Sequence, residues 1–131
     1  MTLVGVGIDV ASLARIEGLV QRYGGTFTRR WFDADDFPQG RISAMNLAKS
    51  FAAKEAVWKA LGLPRDRALA WRLLEVLVDG RGRTEVRFAG WIADEVAQRR
   101  ISEVFVTTVV HGDIAVAMAV LQGPGANDMA V

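Results

Sequence analysis

The chain has 131 residues, enough for one domain with a real core, and its 51% hydrophobic and 24% charged residues are ordinary for a globular protein. Sixteen basic and fifteen acidic residues leave a formal charge of +1, without the concentrated basic stripe of a dedicated nucleic-acid binder. The lack of cysteine excludes disulfides, thiolate metal sites and cysteine nucleophiles, and a single histidine, His111, argues against a zinc site of the usual type.

The first residues carry neither a basic region nor a long apolar stretch, and no later run is long enough to span a bilayer. A cytoplasmic protein, away from any membrane, is the expectation. Leu3 to Val10 predicts a strand, because Val4, Val6, Ile8 and Val10 alternate with Gly5, Gly7 and Asp9. One face is branched and apolar; the other is bare except for a carboxylate. Ser12 predicts the N-cap of a helix that runs to about Tyr23 and stops at Gly24-Gly25, with Leu13, Ile16, Val20 and Tyr23 as its apolar stripe. Residues 26–41 look irregular. A long alanine-rich helix is predicted over Ile42–Leu61, ended by Gly62 with Pro64 just beyond.

Leu73–Val78 and Thr84–Phe88 predict strands joined by the turn Asp79-Gly80-Arg81-Gly82. A short helix is predicted from Trp91 to about Arg99. Val104–Val110 and Ile114–Leu121 then form a hairpin through His111-Gly112-Asp113. The residues from Gly123 onward read as a loose tail. Strands flank the helices rather than alternating strictly with them, which predicts an α+β domain covering residues 1–131. Neither a Walker loop nor a complete dinucleotide fingerprint is present.

Two carboxylates stand out. Asp9 ends the first strand on its bare face, where a ligand or metal can approach the backbone closely. It equally fits a helix cap or a turn acceptor. Ala48, Ala52, Glu55 and Lys59 share one face of the long helix by their spacing. Glu55 and Lys59 equally fit an ordinary surface pair at i, i+4. Taken together, the groups suit phosphate chemistry, since magnesium is usually held by one or two carboxylates, waters and phosphate oxygens, and an ammonium can stabilise a leaving phosphate.

Val6-Gly7-Ile8-Asp9-Val10 followed by Arg15-Ile16, and then Phe51-Ala52-Ala53-Lys54-Glu55-Ala56 with Lys59-Ala60-Leu61-Gly62, resemble the two signature motifs of the holo-[acyl-carrier-protein] synthases, the short-chain 4'-phosphopantetheinyl transferases. The likeness spans about residues 3–121. It implies an antiparallel-type sheet packed on a long helix and a homotrimer with sites between subunits. It implies a magnesium-dependent transfer of the 4'-phosphopantetheine arm of coenzyme A to a serine of an acyl carrier protein, leaving 3',5'-ADP. By the same likeness Asp9 and Glu55 are metal ligands, with Glu55 also the candidate base. Lys59 meets the coenzyme A phosphates, and Gly62 lines the nucleotide turn. Arg15 meets the acidic carrier protein, and Arg22, one heptad on, extends that patch or is simply solvated.

Two departures from the family pattern concern coenzyme A. Ser50, beside Lys49, stands where the family usually has arginine, so both are carried as candidate nucleotide contacts. The only histidine, His111, is displaced from the family's Ser-x-Ser-His-like stretch, Val106–His111 here, and fits an ordinary hairpin residue. They keep open a non-catalytic binder of coenzyme A or carrier protein on the same fold, which retention of Asp9, Glu55 and Lys59 opposes. Tryptophans 31, 58, 71 and 91 need no functional reading, and Trp58, on a different side of the helix from Glu55 and Lys59, reads as core or subunit interface.

Overall fold

A computed structural model describes residues 1–24, 44–64, 71–78 and 84–124. The stretch 26–41 expected to be irregular, with Trp31, the turn expected at 79–82 and the residues after 124 lie outside these. The elements follow the order β1 (Thr2–Ser12), α1 (Leu13–Tyr23), α2 (Ala44–Leu61), β2 (Leu74–Val78), β3 (Thr84–Phe88), α3 (Gly90–Gln98), β4 (Glu103–His111) and β5 (Ile114–Gly123). Among the described residues β1, β5 and β4 form one antiparallel sheet in that order, and β2 pairs with β3 in a second. The class is the expected α+β. Gly123, expected to begin a tail, instead ends β5 opposite Thr2.

The faces of β1 are used in an unexpected way. The bare face was expected to admit a ligand; it is α2 that fills it. A Cβ added at Gly7 would lie 1.9 Å from the Ala56 carbonyl oxygen, and one at Gly5 2.1 Å from that of Ala60. Helix and strand therefore meet backbone to backbone, which only glycine permits. The same sheet face continues through Ala115, Ala117 and Ala119 of β5, each with 0% exposure, so small residues lower the whole floor on which α2 rests. Ala48, Ala52, Ala53 and Ala56 complete the seam from the helix side. The branched residues Val4, Val6, Ile8 and Val10 point the other way and are exposed, as are Phe105, Val109 and Met118 on the neighbouring strands.

The other side of α2 carries bulk. Leu47, Val57 and Leu61 pack in one core with Leu74, Val76 and Ile92. Trp71 stacks on both Phe51 and Trp58, with ring centroids 5.6 Å and 5.8 Å apart, and Trp91 meets Trp58 edge-on. Such pairs add to the area they bury. Lys54 lies fully buried in this layer, its Nζ donating to the Trp71 carbonyl at 3.4 Å. The helix ends in a Schellman motif: Leu63 N–H donates to Trp58 and Gly62 N–H to Lys59, with Gly62 at φ +64°. Arg99 adds a guanidinium to the orphan carbonyl of Leu61.

On α1, Ile16 is buried and Leu13, Leu19 and Val20 pack partly against the core. Tyr23, expected in the stripe, is 52% exposed, because the helix ends there and Gly24 turns the chain away.

Candidate active site

Asp9 sits on the inner face of β1, in register with Ala117 of β5, and no side chain larger than a methyl crowds it from that strand. Its carboxylate is held at the edge of the β1–α2 seam. Lys59, on the last turn of α2, reaches across with Nζ 2.7 Å from Asp9 Oδ1 and 3.4 Å from the Ile8 carbonyl. The side chains are 38% and 15% exposed for Lys59 and Asp9, so the pair opens to solvent at one end. Residues fifty apart in sequence are thus in contact. The simple helical pairing of Glu55 with Lys59 does not describe this lysine, whose ammonium is carried to the strand.

Glu55 is half-buried one turn before Lys59 on the same helix. Ala52 and Ala56 flank it, so the helix presents a carboxylate and an ammonium from a surface otherwise flattened by small residues. Gly62 follows directly; a side chain there would meet nothing within 4 Å, so the turn is open. Carboxylate, ammonium and an open glycine turn therefore follow one another along the C-terminal part of α2, and the ammonium reaches the strand that holds Asp9.

The remaining candidates separate. Lys49 is half-buried, whereas Ser50 is 6% exposed and its Oγ has no hydrogen-bond partner. The hydroxyl is enclosed in the protein and does not face a phosphate arriving from solvent. Arg15 and Arg22 are both exposed on α1, as their positions off the apolar stripe imply, and Arg22 stands 6.0 Å from the Tyr23 ring centroid. His111 is exposed at the end of β4, opposite Ile114. Two residues the sequence reading passed over have structural consequences here: Arg99, through Leu61, and Asp113, discussed below. Asp113 was legible only as a hairpin residue.

The donor set bears on which metal fits. Among the described residues no three His, Asp or Glu side chains converge, so an all-protein cage is not on offer. A cation that accepts one or two carboxylates and fills its shell with water and phosphate oxygens does fit. The ammonium already resting on Asp9 shows that this carboxylate faces a position where positive charge is accommodated.

Residues 5–119 match a family model described as the 4'-phosphopantetheinyl transferase superfamily. The chain is 34% identical over 128 residues to a holo-[acyl-carrier-protein] synthase of Ralstonia nicotianae, covering 92% of each. It is 36% identical over 125 residues to one of Streptomyces avermitilis, covering 94% of this chain and all of the relative. Among solved structures, the holo-[acyl-carrier-protein] synthase of Neisseria meningitidis superposes with a TM-score of 0.82 at 30% identity, over 92% of this chain and 99% of that one. The Chronobacterium ammoniagenes synthase in complex with CoA superposes with a TM-score of 0.77 at 26% identity, over 95% of this chain and 100% of that one.

Proposed function

The chain belongs to the 4'-phosphopantetheinyl transferase superfamily, and on that premise we propose that it transfers the 4'-phosphopantetheine group of coenzyme A to a serine of an apo acyl carrier protein. The products are the holo carrier protein and 3',5'-ADP. The observation that carries this reading is the glycine-walled seam of β1 and α2, which sets Asp9 against Lys59 at 2.7 Å with Glu55 one turn away. A carboxylate pair and an ammonium at a solvent-open edge are what a diphosphate and a divalent ion require.

Asp9 and Glu55 would hold magnesium, which when bound neutralises charge on the diphosphate. The serine oxygen forms a bond to the β-phosphorus as the bond to the leaving phosphate oxygen breaks. Glu55 takes up the hydroxyl proton, directly or through a water. Lys59 leaves Asp9 for the leaving group, where a second negative charge develops. An ion pair this exposed is worth no more than about 1 kcal/mol, so releasing Lys59 costs little. Lys49 and the open turn at Gly62 are the candidate contacts to the nucleotide part. Ser50 enters this picture through burial, which makes a weaker coenzyme A grip the expected consequence of its replacing an arginine.

The exposed sheet face supports a homotrimer. Val6, Ile8 and Val10 on β1, and Phe105 and Val109 on β4, are each more than half exposed on the two strands that flank β5. A contiguous apolar surface of that kind marks an interface. Arg15 and Arg22 on α1 present positive charge to an acidic carrier protein.

Intact-mass measurement of an apo carrier protein, incubated with this protein, coenzyme A and magnesium, tests the reaction. A mass gain equal to one phosphopantetheinyl group, dependent on both additives, is expected. No gain against several carrier proteins, with coenzyme A binding retained, would identify a non-catalytic binder.

A further inference from the structure

Helix α1 has no acidic residue in its own first turn, and its local cap is Ser12 alone. Its N-terminal amides are nonetheless satisfied. Ser12 Oγ accepts from Arg15 N–H at 3.2 Å, an ordinary N-cap. The other two partners come from Asp113, about a hundred residues away in the β4–β5 turn. The Asp113 backbone carbonyl accepts from Leu13 N–H at 2.8 Å. Its Oδ1 accepts from Ala14 N–H at 3.0 Å, and its Oδ2 accepts from Ser12 Oγ at 2.8 Å. One residue thus bonds to N1, to N2 and to the cap that holds N3, and places a negative charge at the positive end of the helix dipole.

The turn that presents Asp113 is itself stiff. His111 pairs with Ile114 across Gly112 at φ +58°, so the carboxylate projects from a two-residue hairpin anchored in a three-stranded sheet. The helix it grips is lightly held by packing, with Ile16 as its one buried residue. β1 differs: it is fixed by its ladder to β5 from Thr2 to Ser12. Loss of Asp113 would therefore free the start of α1, including Arg15, while leaving Asp9 in place.

We propose that Asp113 is a positioning residue that sets the direction of α1 and so the carrier-protein affinity of this site, acting through the amide of Ala14 and through Ser12, which in turn holds the amide of Arg15. The proposal rests on α1 being the docking face. Asp113→Ala should raise KM for the carrier protein about five-fold, the worth of a lost cap, with KM for coenzyme A unchanged. Amide hydrogen exchange at Ala14 and Arg15 should speed up in parallel. Asp113→Asn can accept from Ala14 and donate to Ser12 Oγ, and should keep the carrier-protein KM within about two-fold of the parent. If Asp113→Ala folds poorly, Ser12→Ala should show the same selectivity at smaller size, and Ser12→Thr should restore it. Arg15→Glu is measured alongside. If Arg15→Glu leaves the carrier-protein KM unchanged, the docking reading fails and the proposal with it. If Arg15→Glu raises that KM but Asp113→Ala and Ser12→Ala do not, or if they shift both KM values alike, the positioning role alone is overturned. An Asp113→Asn variant as impaired as Asp113→Ala would also overturn it.

Discussion

Gly7→Ala should be the most damaging methyl added at any of the described glycines. Its Cβ would lie 1.9 Å from the Ala56 oxygen, 2.9 Å from the Ala56 carbonyl carbon and 2.8 Å from the Ala60 nitrogen. All three atoms are backbone, so no rotamer change relieves the clash. To reach ordinary contact the strand and helix must separate by about 1.5 Å, and a gap of even 0.5–1 Å already forfeits a quarter to a half of each dispersion contact. Ala52, Ala53, Ala56 and Ala117, all with 0% exposure, would lose contact along the same seam. The cost should reach about 3 kcal/mol, the upper end of overpacking, and lower Tm by roughly 10 °C. Asp9 rides on the strand and Glu55 and Lys59 on the helix, so turnover should fall about a hundredfold in whatever protein stays folded. Gly18→Ala is the matched control: nothing lies within 4 Å of the added methyl, in an exposed helical position, and stability should rise by about 0.5–1 kcal/mol. Thermal denaturation and steady-state kinetics on both variants decide the matter. A Gly7→Ala protein with parental Tm and turnover would falsify the claim that glycine is there to admit α2.

Asp9→Ala and Glu55→Ala should each abolish transfer with little loss of Tm, since the exposed Asp9–Lys59 pair contributes at most about 1 kcal/mol; turnover near normal with magnesium in either variant would remove that residue from the metal site. Arg15→Glu should raise KM for the carrier protein and not for coenzyme A, with an effect that shrinks at high salt as screening shortens the reach of surface charge. Lys59→Ala should instead lower kcat at saturating carrier protein, and the two variants are told apart by varying each substrate in turn at two salt concentrations. Ile8→Asp, at a position 59% exposed, should break the proposed trimer into smaller species by light scattering; an unchanged mass would count against this face as the subunit interface.

Much of this protein is decided by short-range rules and is legible in its sequence. Ser12 caps α1 and Gly24 ends it, because a hydroxyl acceptor and a residue free to take positive φ act within one turn of the chain. Gly62 ends α2 for the same reason, and the hairpin at Gly112 follows from its two neighbours. Asp9, Glu55 and Lys59 each fit ordinary roles by residue type and spacing, and it was the resemblance of their two surrounding motifs to a known family that singled them out as candidates. What each face of β1 is for was not legible. The alternation of valine and glycine states that the faces differ, but a bare face beside a carboxylate looks the same whether a ligand or a helix backbone will fill it. Only packing against Ala56 and Ala60 decided that, and it sent the valines outward. Lys59 found Asp9 rather than a simple helical partner, and Asp113 found the start of α1, through contacts between segments fifty and a hundred residues apart. Such contacts cost loop-closure entropy that no local propensity reports, and they form because the sheet register and the α2 seam have already brought those segments together.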